Sequence, residues 1–395
     1  MVMQTIDELL MRGVANIIPN REALKNELES GKKLNIYLGI DPTSTQIHLG
    51  HAFPLRQLQK FANMGHHVTF LIGDFTSLIG DTSDKESERP VLTSEQIEEN
   101  FKTYKKQAEK ILDFSKITVK HNSEWLSKLT FTDIVKLCQH FSVGDFISRE
   151  LIKKRLNSGT RVGLHEVLYP VMQGYDSYFM DTDLQLGGTD QTFNMQAGRT
   201  LQKILRNKES FVMTNEFLTG TDGRKMSKTW GNAIWLTDAP DDMFGKIMSV
   251  QDNLILEYFL LGTSLPIEEI KEKETRLQKG ENPMQIKKEL AFEIVKELHS
   301  QTDAEQAQEN FEQVFQKRDV TVALQPLKLK LGTKQPLVDV IAQTKAVSSK
   351  SEARRLIEQG AVEYGDEKIT DPMQTIKAEK GKILKIGKRS FFEVQ

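Results

Sequence analysis

Cysteine is nearly absent from this 395-residue chain. Cys138 is the only one, so no intramolecular disulfide can form, and a reducing compartment, the cytosol, is expected. Long apolar runs are missing too. No stretch of about 18 apolar residues occurs, which leaves no candidate transmembrane helix. The opening MVMQTIDELLMRGVANIIPN lacks a cationic region followed by an apolar one and reads as a short amphipathic helix rather than an export signal. There is little net charge, only −2, so the chain as a whole favours no strongly charged partner. Internal repeats and low-complexity tracts are also lacking.

What is present is ordinary globular composition, with 38% hydrophobic and 27% charged residues, in a length that suits two or three domains. The charge is unevenly placed. From Lys330 to Gln395 there are 13 Lys and Arg against 9 Asp and Glu, a net +4, leaving −6 on the remainder. A basic tail on an acidic body hints that the tail meets nucleic acid.

The chain up to about Asn35 reads as helical. The apolar run Ile36 to Ile40 reads as a buried strand stopped by Asp41-Pro42. A helical pattern from about Leu49 to Met64 ends at Gly65, and His67 to Ile72 is a second apolar run. Strand, helix and strand make a βαβ unit and a parallel sheet. Ligands of such sheets bind at the carboxyl ends of the strands, which puts residues 41–51 and 73–89 at the expected site. Further helices are expected over about 94–114, 132–158, 164–176 and 191–205, with strands at 182–186 and 210–215. Pro240 to about Arg318 is helical again, and Pro326 to Pro336 is a Lys-rich stretch bounded by prolines. Two short helices and several short strands follow. The fold expected is α/β: a Rossmann-like parallel-sheet domain (1–238), a helical domain (239–325), a linker (326–336) and a small α+β domain (337–395).

Two loops carry the chemistry. In IDPTSTQIHLGHA, residues 40–52, His48 and His51 lie three apart at the start of a helix and share a face. Free N–H groups and the helix dipole there suit a phosphate, and Gly50 lets a flat ring approach. Alone, the pair could equally be surface histidines capping a helix. No HExxH motif is present, and no metal ligands are expected. In TDGRKMSKTWGN, residues 221–232, Lys225 and Lys228 sit on a glycine-bounded loop, fit to stabilise a transient polyphosphate. Alone, this could be a solvated basic loop.

Together, HLGH and KMSKT resemble the paired HIGH and KMSKS signatures of class I aminoacyl-tRNA synthetases, departing only at Leu49 and Thr229. YLGIDPT at 37–43, YPVMQGYD at 169–176 and GGTDQ at 187–191 are similar to the tyrosyl-tRNA synthetase pattern in particular. The resemblance spans nearly the whole chain. It implies that Tyr37 and Asp176 hydrogen-bond the phenolic hydroxyl of tyrosine, while Tyr169, Gln173 and Asp81 hold its amino group. The 169, 173 and 176 spacing places three of these on one helix face. Gln191 would lie near the carboxylate and Asp41 beside the reacting centre. Gly39, Gly50, Gly188 and Asp190 would line the nucleotide. Thr43, His48 and His51 would meet the ATP phosphates, and Lys225, Lys228, Lys85 and Arg89 the departing pyrophosphate.

The resemblance further implies Mg²⁺ travelling with ATP and no permanently bound cofactor. It also implies tRNA as acceptor, a helical domain for the anticodon arm, and a homodimer packed through residues 141–151. Phe141, Val143, Phe146 and Ile147 are the apolar residues there, and they could equally be core. The tail, SSKSEARRLIEQGAVEYGDEKI, looks like an RNA-binding module shared with a ribosomal small-subunit protein; Lys350, Arg354 and Arg355 lie on or beside one helix, where they could meet phosphates or equally form a charged, solvated face. A tryptophanyl-tRNA synthetase and a non-catalytic RNA-binding paralogue are the rivals. The YxxxQxxD arrangement and the tail count against the first, and the intact histidines and lysines against the second.

Overall fold

The structure, a computed structural model, describes residues 5–42, 45–81, 93–226, 230–313, 324–344, 346–347, 349–365, 367–387 and 390–395. Thr43, Lys85, Arg89 and Lys228 lie outside the described residues. The chain forms two compact units, residues 1–238 with 250–290, and residues 239–249 with 291–395.

The first unit is built on six strands: β1 (Val14–Ile18), β2 (Asn35–Ile40), β3 (His67–Ile72), β4 (Ile117–His121), β5 (Leu184–Gly188) and β6 (Phe211–Asn215). Their order is β1-β6-β5-β2-β3-β4. All neighbours run parallel except β1, which pairs antiparallel with β6. The central strands NIYLGI and HVTFLI are near-continuous apolar runs, as burial on both faces requires. Ile36, Leu38, Phe70 and Ile72 are all buried.

The helices that precede and link these strands are α1 (Ile6–Met11), α2 (Arg21–Glu29), α3 (Leu49–Asn63), α4 (Ser94–Ala108), α5 (Ser123–Leu126), α6 (Phe131–Cys138), α7 (Val143–Ile147), α8 (Glu150–Asn157), α9 (Leu164–Phe179) and α10 (Thr192–Arg206). Capping boxes start two of them, Thr93 with Gln96 for α4 and Thr130 with Asp133 for α6.

The βαβ unit lies where the sequence pattern put it. Elsewhere in this unit the structure corrects one expectation, subdivides another and adds a strand. The first 35 residues are not all helical, because VANII forms the edge strand β1. The helical stretch expected over 132–158 is divided into α6, α7 and α8: Ser142 accepts from the Gly144 N–H and starts α7, and α8 begins after Arg149. Strand β4 was not foreseen at all.

The remaining helices are α11 (Pro240–Met248), α12 (Ile255–Gly262), α13 (Ile267–Gln278), α14 (Pro283–Leu298) and α15 (Gln301–Phe311), followed in the tail by α16 (Leu337–Ala342) and α17 (Lys350–Glu358). A boundary after residue 238 was expected, yet residues 250–290 belong with the first unit. The buried Arg12 guanidinium explains part of this, since it donates to the carbonyls of Phe259, Leu260, Thr263 and Leu265 at the end of α12. In the second unit α11 packs on α15, with the Phe244 and Phe311 rings 5.5 Å apart.

The tail has its own core of Leu337, Val340, Ile341, Ala353, Ile357, Val362, Leu384 and Val394. Around it lie β7 (Leu324–Leu327), β8 (Lys334–Pro336), β9 (Val362–Tyr364), β10 (Glu367–Ile369), β11 (Thr375–Lys377), β12 (Ile383–Ile386) and β13 (Ser390–Val394). They form the sheets β10-β9-β12-β13-β7 and β11-β8. Both β7 and β8 fall in or beside the stretch expected to be a linker. The small fold therefore begins by Leu324.

Candidate active site

At β2 the sheet changes direction: β3 and β4 extend to one side, β5 and β6 to the other. Ligands of open α/β sheets bind at this switch point, outside the strand carboxyl ends. A cleft of about 1300 Å³ opens there. Tyr37, Asp81, Tyr169, Gln173, Asp176 and Gln191 line it, and so do Gly39, Asp41, His48, Gly50, His51, Gly188, Asp190 and Lys225. The described residues that the sequence assigns to tyrosine, ATP or pyrophosphate are thus brought to one place.

Asp176 is the most buried acid among them, at 2% exposure. Burial raises its carboxyl from the ordinary 3.8 to about 8, against the lowering pull of two donors. Those donors are Asn122 Nδ2, 3.1 Å from Oδ2, and Trp125 Nε1, 2.7 Å from Oδ1. Tyr37 donates to Gln185 Oε1 at 3.0 Å, and Gln185 in turn donates to the Met195 carbonyl. Burial also pushes Tyr37 and Tyr169 well above the usual phenol range, so each is a neutral hydroxyl. Tyr169 donates to Asp41 Oδ2 at 2.9 Å, and Thr76 donates to Asp41 Oδ1 at 2.8 Å. Gln191 donates to Asp81 at 2.7 Å and accepts from Asn194.

Gly73 is where this network needs a glycine. A methyl group built there would collide with the Asp41 carboxylate and the Thr76 hydroxyl.

The two motifs are joined through the backbone. The Leu49 N–H donates to the Ile234 carbonyl at 2.7 Å, and the Leu236 N–H to the Ile47 carbonyl at 2.9 Å. The chain leaving the KMSKT loop is thereby stitched to HLGH. The entry side is held by Glu257, which accepts from the Thr219 N–H and hydroxyl, and by Tyr258, which donates to the Thr219 carbonyl. The His48 and His51 rings stack with centroids 3.8 Å apart. Burial drives both below their ordinary 6.5, His48 to about 2 and His51 to about 4, with Lys225 adding to the effect. Both imidazoles are neutral and can donate or accept one hydrogen bond at each ring nitrogen. A Cβ on Gly50 would press on the His48 ring at 3.0 Å. Lys225 sits over the Phe217 ring, its ammonium 5.2 Å from the centroid.

Sequence reasoning missed Asn122, Trp125, Gln185 and Thr76. Asn122 and Trp125 follow β4, the unforeseen strand. Gln185 lies inside the expected strand 182–186, where strand alternation could have flagged a polar residue at a buried position. Asn215, at the end of β6, also lines the cleft; it is buried, with neither amide atom hydrogen-bonded. In the separate small unit Lys350 pairs with Asp339 at 2.8 Å and Arg355 lies 3.9 Å from Glu352. Both, with Arg354, are exposed on α17.

The family model for class I tRNA synthetases (W and Y) matches residues 29–316, and the S4 domain matches residues 335–380. The chain is 40% identical over 389 residues to the tyrosine–tRNA ligase of Thermotoga maritima, covering 98% of this chain and 96% of the relative. It is 43% identical to that of Carboxydothermus hydrogenoformans, covering 98% and 97%. A C-terminally truncated mitochondrial tyrosyl-tRNA synthetase of Aspergillus nidulans superposes with a TM-score of 0.67 at 24% identity, covering 78% of this chain and 93% of that one.

Proposed function

Because the chain belongs to the class I tyrosyl-tRNA synthetases and so charges tRNA with tyrosine in an ATP-dependent reaction, we propose that the cleft outside β2 and β5 performs both steps of that reaction. The observation that carries this reading is the buried Asp176, held by Asn122 and Trp125, in the same cleft as the stacked histidines.

In this reading the phenol of tyrosine meets Asp176 and Tyr37. Its amino group meets Tyr169, Gln173 and Asp81, and Gln191 lies by its carboxylate. Gly39, Gly50, Gly188 and Asp190 receive the nucleotide, with Asp190 on the ribose hydroxyls. The tyrosine carboxylate attacks the α-phosphorus of ATP; a carboxylate–phosphorus bond forms and the bond to pyrophosphate breaks. His48 and His51, with Thr43, hydrogen-bond the phosphates as charge shifts onto the leaving group. Lys225, Lys228, Lys85 and Arg89 neutralise it. Positioning and charge stabilisation supply the rate, with no covalent enzyme intermediate. The terminal ribose hydroxyl of tRNA then attacks the adenylate carbonyl and AMP leaves.

Mg²⁺ rides on the ATP phosphates in this scheme. Among the described residues no group of three His, Cys, Asp or Glu is placed to hold a metal, and Mg²⁺ commonly binds through substrate phosphates. No helix among the described residues is long and apolar enough to cross a membrane. The near-absence of cysteine supports a cytosolic setting. A homodimer is part of the reading. Phe146 is buried at 3% exposure, but Val143 and Ile147 are 68% and 41% exposed, and Phe131 is 81% exposed. These exposed residues, rather than Phe141 and Phe146, would meet the partner copy.

ATP–pyrophosphate exchange in the presence of tyrosine, tryptophan or phenylalanine tests the catalytic reading. Exchange should depend on tyrosine alone; equal exchange with tryptophan would overturn it. The helical stretch from residue 239 is assigned to the anticodon arm and the tail to RNA phosphates. Removing residues 324–395, with the cut set before β7, should impair tRNA charging and spare exchange. A folded truncation that loses exchange as well would contradict this modular assignment.

A further inference from the structure

We propose that Asp74 is a positioning residue for tyrosine recognition: its carboxylate ties the turn after β3 to the turn after β4, and so aims Asn122 and Trp125 at Asp176. The inference rests on the reading that Asp176 meets the substrate hydroxyl.

Asp74 is not among the residues that line the cleft, yet its two oxygens accept four hydrogen bonds. Oδ1 takes the N–H of Phe75 and that of Ser123, both at 2.9 Å. Oδ2 takes the Ser123 hydroxyl at 2.6 Å and lies 3.2 Å from His121 Nδ1. A carboxylate offers about four lone-pair sites, so this one is fully used. Its partners come from the ends of two strands: Phe75 after β3, and His121 and Ser123, one on each side of Asn122, at the end of β4. Fixing His121 and Ser123 fixes the residue between them.

The consequence for Asn122 can be followed atom by atom. Its Oδ1 accepts from the Phe75 N–H at 2.9 Å, the same N–H that Asp74 holds. The amide is thereby oriented, and Nδ2 is left to donate to Thr76 Oγ1 at 3.0 Å and Asp176 Oδ2 at 3.1 Å. Thr76, having accepted, donates to Asp41. Trp125 lies two residues beyond Ser123 on α5, and its indole donates to the other oxygen of Asp176. Both groups that hold Asp176 therefore hang on the segment that Asp74 pins. Asn122 is fully buried and Trp125 nearly so, so no solvent is at hand to replace a misplaced donor.

The test is tyrosine- and phenylalanine-dependent exchange on the full-length protein, with Asp74→Ala, Asp74→Asn, Ser123→Ala and, in parallel, Asp176→Ala. Asp74→Ala should raise the KM for tyrosine about tenfold, as expected from losing hydrogen bonds to a charged acceptor. It should also narrow the tyrosine-to-phenylalanine ratio while the KM for ATP moves by less than about twofold. Asp74→Asn keeps an acceptor for the two N–H groups and should recover most of the loss. Equal shifts in the tyrosine and ATP constants would reveal a merely structural residue and overturn the proposal. Unchanged tyrosine constants in a folded Asp74→Ala protein would do the same. If that variant does not fold, Ser123→Ala decides. It removes one donor of the clamp and should raise the tyrosine KM two- to threefold, as loss of one ordinary hydrogen bond implies; no change would overturn the proposal. Discrimination lost in Asp176→Ala but kept in Asp74→Ala sinks this inference alone. Discrimination kept in Asp176→Ala sinks the reading beneath it.

Discussion

Asp176→Ala is expected to lower the preference for tyrosine over phenylalanine by 10²-fold or more, read as the ratio of kcat/KM values in ATP–pyrophosphate exchange, because it removes the buried group that phenylalanine cannot satisfy. A site built around a substrate hydroxyl can reject the analogue lacking it by roughly 10⁵, a magnitude for which tyrosyl-tRNA synthetase is itself the standard example. In the proposed reading the cause is the burial of this acid. Asp176 is 2% exposed and has no water to turn to when phenylalanine presents a bare ring edge. Alanine removes that penalty and with it the discrimination. It also strands Asn122 Nδ2 and Trp125 Nε1 against Asp176's former place, so some stability is lost too. An unchanged ratio in the folded variant would refute the assignment.

The same carboxyl leaves a mark on stability. In the unfolded chain it loses its proton near 3.8; in the fold it does so near 8. Between those values the folded state holds the extra proton. Its contribution is complete below 3.8 and is lost as pH rises through about 8. His48 and His51 act in the opposite sense. Their folded values lie below 6.5, so the unfolded chain takes up protons as pH falls under 6.5, and stability drops. From pH 6.5 to 8 the Asp176 effect is unopposed by these histidines. Thermal unfolding should show a Tm that declines across this window in the parent and declines less in Asp176→Asn.

The central βαβ unit was legible because its strands are buried on both faces. NIYLGI and HVTFLI announce themselves by continuous apolarity, and Gly65 marks the end of the helix between them. Edge strands carry no such mark. In β1, two of the five residues are exposed, and β4 ends in Lys120 and His121; neither alternates cleanly. The cost of missing β4 was functional. Asn122 and Trp125 leave its carboxyl end, and without the strand nothing places them beside Asp176. The grouping of His48 with Lys225 came from paired motifs, whereas the two backbone hydrogen bonds that join those motifs depend on Ile234 and Leu236, whose sequence gives no hint of them. Tail strands β7 and β8 were hidden by prolines that read as a linker. Pro326 and Pro336 both sit in strands, paired with Glu393 and Thr375; Pro326 lies in an edge strand and Pro336 at a strand's end, where a missing N–H is tolerated.

His48→Ala and His51→Ala are each expected to slow tyrosyl-adenylate formation by about 10²–10³-fold, the usual cost of removing one preorganised donor from a transition state. The KM for tyrosine should hardly move, because the histidines stand with Gly50 and Lys225 at the start of α3 and not among the donors around Asp176. Their neutrality sharpens the expectation. An imidazole held to about 2 or 4 carries no charge in the free enzyme at neutral pH, so in the proposed reading these histidines would meet ATP with a directional N–H and the positive charge would come from lysines. The kcat/KM for ATP reports the free enzyme, and these two groups should leave it level from pH 6 to 8. A bend near 6.5 that disappears in His51→Ala would mean that the histidine works as a cation instead. Single-turnover rates measured over that range decide it. Rates unchanged by both substitutions would remove the HLGH motif from the chemistry altogether. The stacking of the rings at 3.8 Å adds one further consequence. Each ring buttresses the other, so the double variant should cost less than the product of the two single losses.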